Sequence, residues 1–138
     1  MIPDRIIEQG TLQTDGTRAA VEVRIPWYRA LPASCISEAS LAVDGVQAPA
    51  ESLRWTMNGE THTLGELAGR ADDWWFPLDS AVLSGEVPVS QGDGEHRVDV
   101  ELKLYIPYII IGAGEVLRIE EHDTKSMAAS TVKEAVAS

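Results

Sequence analysis

The sequence has little cysteine, little positive charge and no long apolar run, and each shortage excludes a class of protein. Cys35 is the single cysteine in 138 residues, which excludes an internal disulfide framework and a CxxC metal or redox motif. Eleven basic residues oppose 22 acidic ones, which argues against binding to nucleic-acid phosphates or to an anionic membrane. No apolar run approaches the length of a membrane span, and residues 1–5 lack a signal-peptide layout. We therefore expect a soluble, cytoplasmic protein.

Few segments have the periodicity of a helix, and in most of the chain apolar and polar residues alternate with a period of two. Over residues 97–106, apolar side chains at every second position alternate with residues such as Asp99 and Glu101, which is typical of an antiparallel strand with one wet face. The pairs Asp44-Gly45 and Asn58-Gly59 are hairpin-turn signals. We expect strands at 6–13, 21–25, 39–43, 53–57, 79–87, 97–106 and 116–120. The fold class predicted is all-β, an antiparallel β-sandwich resembling a jelly roll.

Helix is expected only in one or two short turns. Thr63 and Glu66 have the spacing of a capping box, and residues 131–137 contain good helix formers. No linker divides the chain. We expect one sandwich domain over residues 1–125 and a small, polar C-terminal tail over residues 126–138.

The histidines do not have the spacing of a metal site. His122 stands among acidic neighbours at 120–123, but adjacent residues of a strand point to opposite faces, so at most two of these four can converge. A solvated strand end is the favoured interpretation, and a metal enzyme built on His122 is a remote alternative. We assign no catalytic, cofactor-binding or metal-binding residue to this chain.

A tryptophan pair allows two interpretations. Asp72 and Asp73 precede Trp74, Trp75 and Phe76, and an aromatic wall beside carboxylates resembles a sugar subsite. The favoured interpretation is that Trp74 or Trp75 closes one end of the sandwich, since aromatic side chains dominate core burial.

Two alternating strands end in Ile-Pro-aromatic sequences, at 25–28 and 106–109. Proline cannot donate to a β-ladder, so each strand is expected to stop pairing or to become an edge there. Four apolar residues follow at 108–111, which indicates either ends covered by loops or a partner surface. The interface hypothesis consists of five residues: Trp27, Tyr28, Tyr108, Ile109 and Ile110.

The order and spacing of several segments resemble the small (beta) subunit of bacterial C-glycoside deglycosidases over about nine tenths of the chain. These segments are IIEQGTL at 6–12, RIPWYRALP at 24–32, LAVDG at 41–45, NG at 58–59, LGEL at 64–67, WW at 74–75 and LKLYIPY at 102–108. No single one is diagnostic.

The resemblance implies a two-subunit enzyme, a carbon–carbon lyase that acts on 3-oxo C-glycosides of plant polyphenols such as flavonoids. The catalytic residues and a divalent metal, manganese in the family, are then expected on an alpha subunit with a TIM-barrel fold. No catalytic residue of the family transfers to this chain. A free-standing carbohydrate-binding module built on Trp74 and Trp75 is the alternative.

Overall fold

The computed structural model describes residues 6–25, 29–70, 72–76, 79–89 and 94–131. Within these ranges the chain forms strands, two 3-10 turns and one short helix, α1 (Leu64–Leu67). The strands are β1 (Gln13–Thr14), β2 (Ala19–Val23), β3 (Leu31–Pro32), β4 (Ile36–Val43), β5 (Val46–Gln47), β6 (Arg54–Met57), β7 (Glu60–Thr63), β8 (Trp74–Trp75), β9 (Ala81–Gly85), β10 (Glu95–Gly112), β11 (Glu115–Ala128) and β12 (Ser130–Thr131).

The strands build a sandwich. One sheet has the order β12-β1-β2-β9-β6-β7, the other has the order β11-β10-β4-β5, and β3 pairs with β8 apart from both. The pairings are antiparallel except that β1 and β12 run parallel. The all-β class predicted from the alternation is confirmed.

One hydrophobic core lies between the two larger sheets. The inward residues of β10, from Val98 to Ile106, are fully or almost fully buried. They belong to the same buried cluster as Val21 of β2, Trp55 of β6 and Leu83 of β9. Their polar neighbours in β10 point to the outer face, as expected for a sheet with one wet side.

The local turn and cap signals are confirmed. Asp44 and Asn58 have positive φ angles of 53° and 55°, which a two-residue turn of the I′ type requires and which these residue types tolerate. The side chain of Thr63 accepts a hydrogen bond from the backbone N–H of Glu66, and the Glu66 carboxylate accepts one from the N–H of Thr63. These two bonds start α1 at the predicted capping box.

The predicted first strand at 6–13 is wrong as a continuous element. Ile7 forms only an isolated bridge with Val23, and regular pairing begins at Gln13. Gly10 lies between them with a φ of 80°, a backbone conformation that breaks a strand.

The last strand is longer than predicted and includes residues that we expected in the tail. β11 continues to Ala128, Met127 is buried in the core, and β12 pairs with β1. Burial of Met127 explains the extension. The helix expected at 131–137 is not seen at Thr131, which belongs to β12, and residues 132–137 lie outside the described ranges.

Near Pro107 the strand becomes an edge, one of the two predicted alternatives, because the last described pair of β10 with β4 is at Leu104. The same prediction for Pro26 falls outside the described residues. β10 continues to Gly112, but its pairing with β11 is irregular between Ile106 and Ile110. Pro107 lies in this irregular stretch, where its missing N–H group interrupts no described pair of the ladder. In the described part of the chain, no helix has the length and hydropathy needed to cross a membrane.

Gly85 tests how tightly the sandwich is packed. A Cβ atom at this position would lie 2.6 Å from Ala48 Cβ and 3.0 Å from Leu53 Cδ2. We expect Gly85→Ala to lower the free energy of unfolding by about 1–3 kcal/mol, measured by urea denaturation. Gly65→Ala is the matched control, because no described heavy atom lies within 4 Å and alanine favours a helix. Equal stability of the two variants would contradict the prediction.

Candidate functional site

The end of the β10–β11 hairpin projects past the strand that supports it. β4 makes its last described pair with β10 at Leu104, opposite Ile36, whereas β10 and β11 stay paired out to Gly112 and Glu115. We call residues 105–119 the hairpin end. A two-stranded ribbon has little stability of its own, so its base must pack on the domain.

The base of the hairpin end packs and its tip does not. Ile109, Leu117 and Ile119 are partly buried against the core. Ile110 and Ile111 expose 74% and 60% of their surface. Adjacent strand residues point to opposite faces, so both are exposed because neither face of the ribbon is covered there by described residues. Apolar surface exposed at the tip of a ribbon makes this tip a candidate surface for a partner.

The five residues of the interface hypothesis are therefore placed only in part. Trp27 and Tyr28 lie outside the described residues, and for Tyr108 only the backbone is described. Ile109 contacts the core and Ile110 is exposed. Ile111 is missing from the hypothesis, although the apolar run at 108–111 pointed to it.

A shallow groove of about 450 Å³ lies on the outer face of the four-stranded sheet. Its polar lining includes Glu38, Asp99, Glu101, Lys103 and His122. The small side chains of β4 make the groove possible. No tryptophan, tyrosine or phenylalanine lines it among the described residues, so it lacks the flat ring surface on which a sugar stacks.

Asp99 is the most strongly hydrogen-bonded acid in this groove. Partial burial pushes the pKa of Asp99 upward, but hydrogen bonds from the Thr124 hydroxyl and from the Arg97 guanidinium outweigh it, so the pKa is lowered. His122 Nε2 lies 3.6 Å from the same carboxylate. The groove therefore keeps Asp99 ionised, which suits an electrostatic contact better than the work of a general base near neutral pH.

The acidic run at 120–123 divides between two faces, as strand geometry requires. His122 is exposed, whereas Asp123 is buried. Asp123 Oδ2 accepts hydrogen bonds from the backbone N–H groups of Ile6 and Ile7, at 3.1 and 2.9 Å, and Lys125 Nζ lies 2.8 Å away. The expectation of a solvated strand end is wrong for Asp123, which anchors the residues before β1.

A second cluster joins Glu60 and His62 of β7 to Asp73, and their potential ligand atoms lie within 4.8 Å of one another. Arg70 already bridges the two carboxylates, at 2.8 Å from Glu60 Oε1 and 2.6 Å from Asp73 Oδ2. The bond to Asp73 raises the pKa of Arg70. The guanidinium thus supplies the positive charge that a metal would bring. Sequence spacing alone did not reveal this cluster, because Asp73 is distant from β7 along the chain.

The two tryptophans have different environments. Trp75 is buried, its ring centroid lies 4.9 Å from that of Trp55 in an edge-to-face contact, and its indole N–H donates to Asp79 O. Trp74 and Phe76 remain 46% and 50% exposed. The core interpretation holds for Trp75, and Trp74 stays available to a ligand or partner.

Comparisons with known proteins agree on one family. The family model described as "C-glycoside deglycosidase beta subunit" matches residues 5–108. A protein of Microbacterium trichothecenolyticum with the same description is 65% identical over 94% of this chain and 98% of its own length. One from Arthrobacter globiformis is also 65% identical, over 92% and 96% of the two chains. A 3'-dehydrocarminate deglycosidase beta subunit from a Microbacterium species is 40% identical over 92% and 95%.

The tryptophan pair offers a test of core against surface. We expect Trp75→Ala to lower the free energy of unfolding by about 3–5 kcal/mol, because it empties a core site. Trp74→Ala, the neighbouring control, should cost about 1 kcal/mol or less, since half of the ring faces solvent. Both changes in the free energy of unfolding are to be measured by urea denaturation. A loss at Trp74 as large as that at Trp75 would show that Trp74 is structural.

Proposed function

Because this chain belongs to the family of C-glycoside deglycosidase beta subunits, and so serves a deglycosidase together with a partner subunit, we propose that it is the non-catalytic subunit of a cytoplasmic carbon–carbon lyase. The complete enzyme would cleave the bond between the anomeric carbon of a 3-oxo sugar and a polyphenol aglycone. The name of one relative, a 3'-dehydrocarminate deglycosidase beta subunit, supports an oxidised sugar as substrate.

The proposed reaction follows from the position of the ketone. A carbonyl at C3 makes the proton on C2 acidic, so a general base can form the enolate, and the enolate then expels the aglycone carbon from C1. That carbon takes up a proton as it leaves. A divalent metal on the alpha subunit would polarise the ketone and stabilise the enolate oxygen.

The geometry of this chain supports a non-catalytic role. His62 lies beside carboxylates already bridged by Arg70, and His96 lies with its Nδ1 atom 2.7 Å from a carboxylate oxygen of Asp44 in the β4–β5 turn. His122 is exposed in a shallow groove. The carboxylate beside each imidazole already binds a second group of this chain. We infer that the catalytic residues and the metal belong to the partner.

The tip of the hairpin end, around Ile110 and Ile111, is the contact that we propose for the alpha subunit. The observation that carries this proposal is the exposure of Ile110 and Ile111 on a ribbon that extends beyond the sandwich. Apolar anchors that lose all contact with water dominate interface energetics. Trp27, Tyr28 and Tyr108 remain part of the proposed surface on the sequence pattern alone.

A free-standing carbohydrate-binding module remains the second candidate. The half-exposed rings of Trp74 and Phe76 favour it. Such a module would bind sugar without a partner chain, whereas the subunit would need one. Titration of the isolated chain with a C-glycoside and with its free sugar separates these two functions.

Reconstitution tests the proposed function directly. The chain is purified alone and with an alpha subunit of this enzyme class, and each sample is assayed for release of aglycone from a 3-oxo C-glycoside. We expect activity and bound divalent metal only in samples that contain the alpha subunit. Aglycone release or stoichiometric metal in the isolated chain after dialysis would refute the non-catalytic role.

Ile110 tests the proposed interface. We expect Ile110→Asp to weaken association with the alpha subunit by roughly 30-fold or more, because it places a charge in an apolar contact. The melting temperature of the isolated variant should stay near that of the parent, since the side chain touches solvent. Val46→Asp is the matched control, as Val46 is 48% exposed on β5, away from the hairpin end.

Association is measured by isothermal titration calorimetry and compared with the melting temperature of each variant. Normal association of Ile110→Asp would place the interface elsewhere. Equal losses in both variants, or unfolding of Ile110→Asp alone, would also contradict the assignment.

A further inference from the structure

β11 forms one border of the four-stranded sheet and is long for a strand in that position. It has 14 residues and pairs with β10 on one side. On its other side the described contacts cluster at two points, the Asp123 carboxylate and the Ser126 carbonyl, which bind Ile6, Ile7 and Gln9. Residues 116–122, which we call the open edge, have no described partner beyond β10.

The backbone groups of the open edge can be assigned by alternation along the strands. Asp44 N–H donates to Arg97 O, so odd-numbered residues of β10 direct their backbone groups to β4 and even-numbered ones to β11. The register pairs even residues of β10 with odd residues of β11. The N–H and C=O groups of Arg118, Glu120 and His122 therefore point away from the sheet. Ser126, another even-numbered residue of β11, follows the same rule, because its carbonyl accepts a hydrogen bond from the Gln9 side chain outside the sheet.

A row of unpaired backbone groups is a template for another strand. We propose that the open edge binds the open edge of a second copy of this chain, antiparallel and around a two-fold axis at Ile119. The four-stranded sheets of the two copies then join into one continuous sheet. Symmetric pairing of identical surfaces is the commonest form of dimer.

Charge complementarity selects this register. With the axis at Ile119, Arg118 of each copy lies opposite Glu120 of the other, and each of these pairs exchanges backbone hydrogen bonds. Moving the axis to Arg118 would place two arginines opposite each other, and moving it to Glu120 would oppose two glutamates. Like charges directly opposite across strands are destabilising. If the axis lay between two residues, each inward-facing residue would lie opposite an outward-facing one. The inner face of one sheet would then continue as the outer face of the other.

The inner face of the same register is apolar at its centre. Ile119 meets its own copy there. Ile119 and Leu117 are only partly buried in one chain, so pairing would remove more of their surface from water. Arg118 also lies over the Tyr105 ring, 5.3 Å from its centroid, which holds the guanidinium on the outer face beside the position of Glu120 from the copy.

A charge exchange tests the proposal on the full chain. Sedimentation equilibrium over a wide concentration range should show a reversible monomer–dimer equilibrium. Arg118→Glu and Glu120→Arg should each weaken the dimer by on the order of tenfold, because each brings like charges together twice per dimer. The double exchange should restore the parent dissociation constant to within about threefold. Glu86→Arg, a reversal of an exposed charge outside β11, should leave it unchanged.

A backbone variant tests the proposal even if the charge variants fail to fold. In Glu120→Pro the lost N–H is one that β10 does not use, so the monomer should keep its far-ultraviolet spectrum while the dimer disappears. A chain that stays monomeric at every concentration overturns the proposal. So does a dimer that is unaffected by the single reversals or not restored by the double one. The test needs no alpha subunit, so its outcome is separate from that of the proposed function.

Discussion

The apolar face of β10 closes the core against the six-stranded sheet, and the rest of the structure depends on this burial. From Val98 to Ile106 every second side chain is withdrawn from water, while β4 and β11 satisfy the backbone on either side. β10 has 18 residues and β4 has eight. Beyond Leu104, β10 has no described pair with β4 and pairs with β11 alone. This ribbon is the hairpin end.

Two carboxylates fix how the peripheral segments meet this core, one of them buried and one about half exposed. Asp123 binds the two N–H groups before β1, and Asp44 binds His96 and the N–H of Arg97 at the start of β10. These hydrogen bonds lower the pKa of Asp44, and the bond with the His96 ring has the largest effect. Each carboxylate holds together residues far apart in sequence. Only Asp123 is buried, so only there would an unpartnered charge be costly.

Three surfaces with different chemistry result, and they separate possible roles. The apolar tip at Ile110 and Ile111 suits a protein contact, the polar groove around Asp99 suits charge recognition, and the open edge of β11 suits a strand of the same kind. In the cluster at Arg70, the guanidinium already binds both carboxylates. This distribution agrees with a subunit that works through its contacts rather than through chemistry of its own.

The sequence by itself determined what depends on neighbours along the chain. Alternation over residues 97–106 predicted the central strand, Asp44-Gly45 and Asn58-Gly59 predicted the hairpins, and Thr63 with Glu66 predicted the start of α1, because these signals act within a few residues. Tertiary structure decided what depends on distant contacts. Asp123 is buried and binds the N–H of Ile6, Met127 is buried in the core, and Asp73 lies beside β7. Each of these contacts joins residues that are too far apart along the chain to give a local signal. Tertiary structure also decided that both Ile110 and Ile111 are exposed. Alternation predicts that one of two adjacent strand residues is buried, but only where a second layer of the sandwich covers the strand.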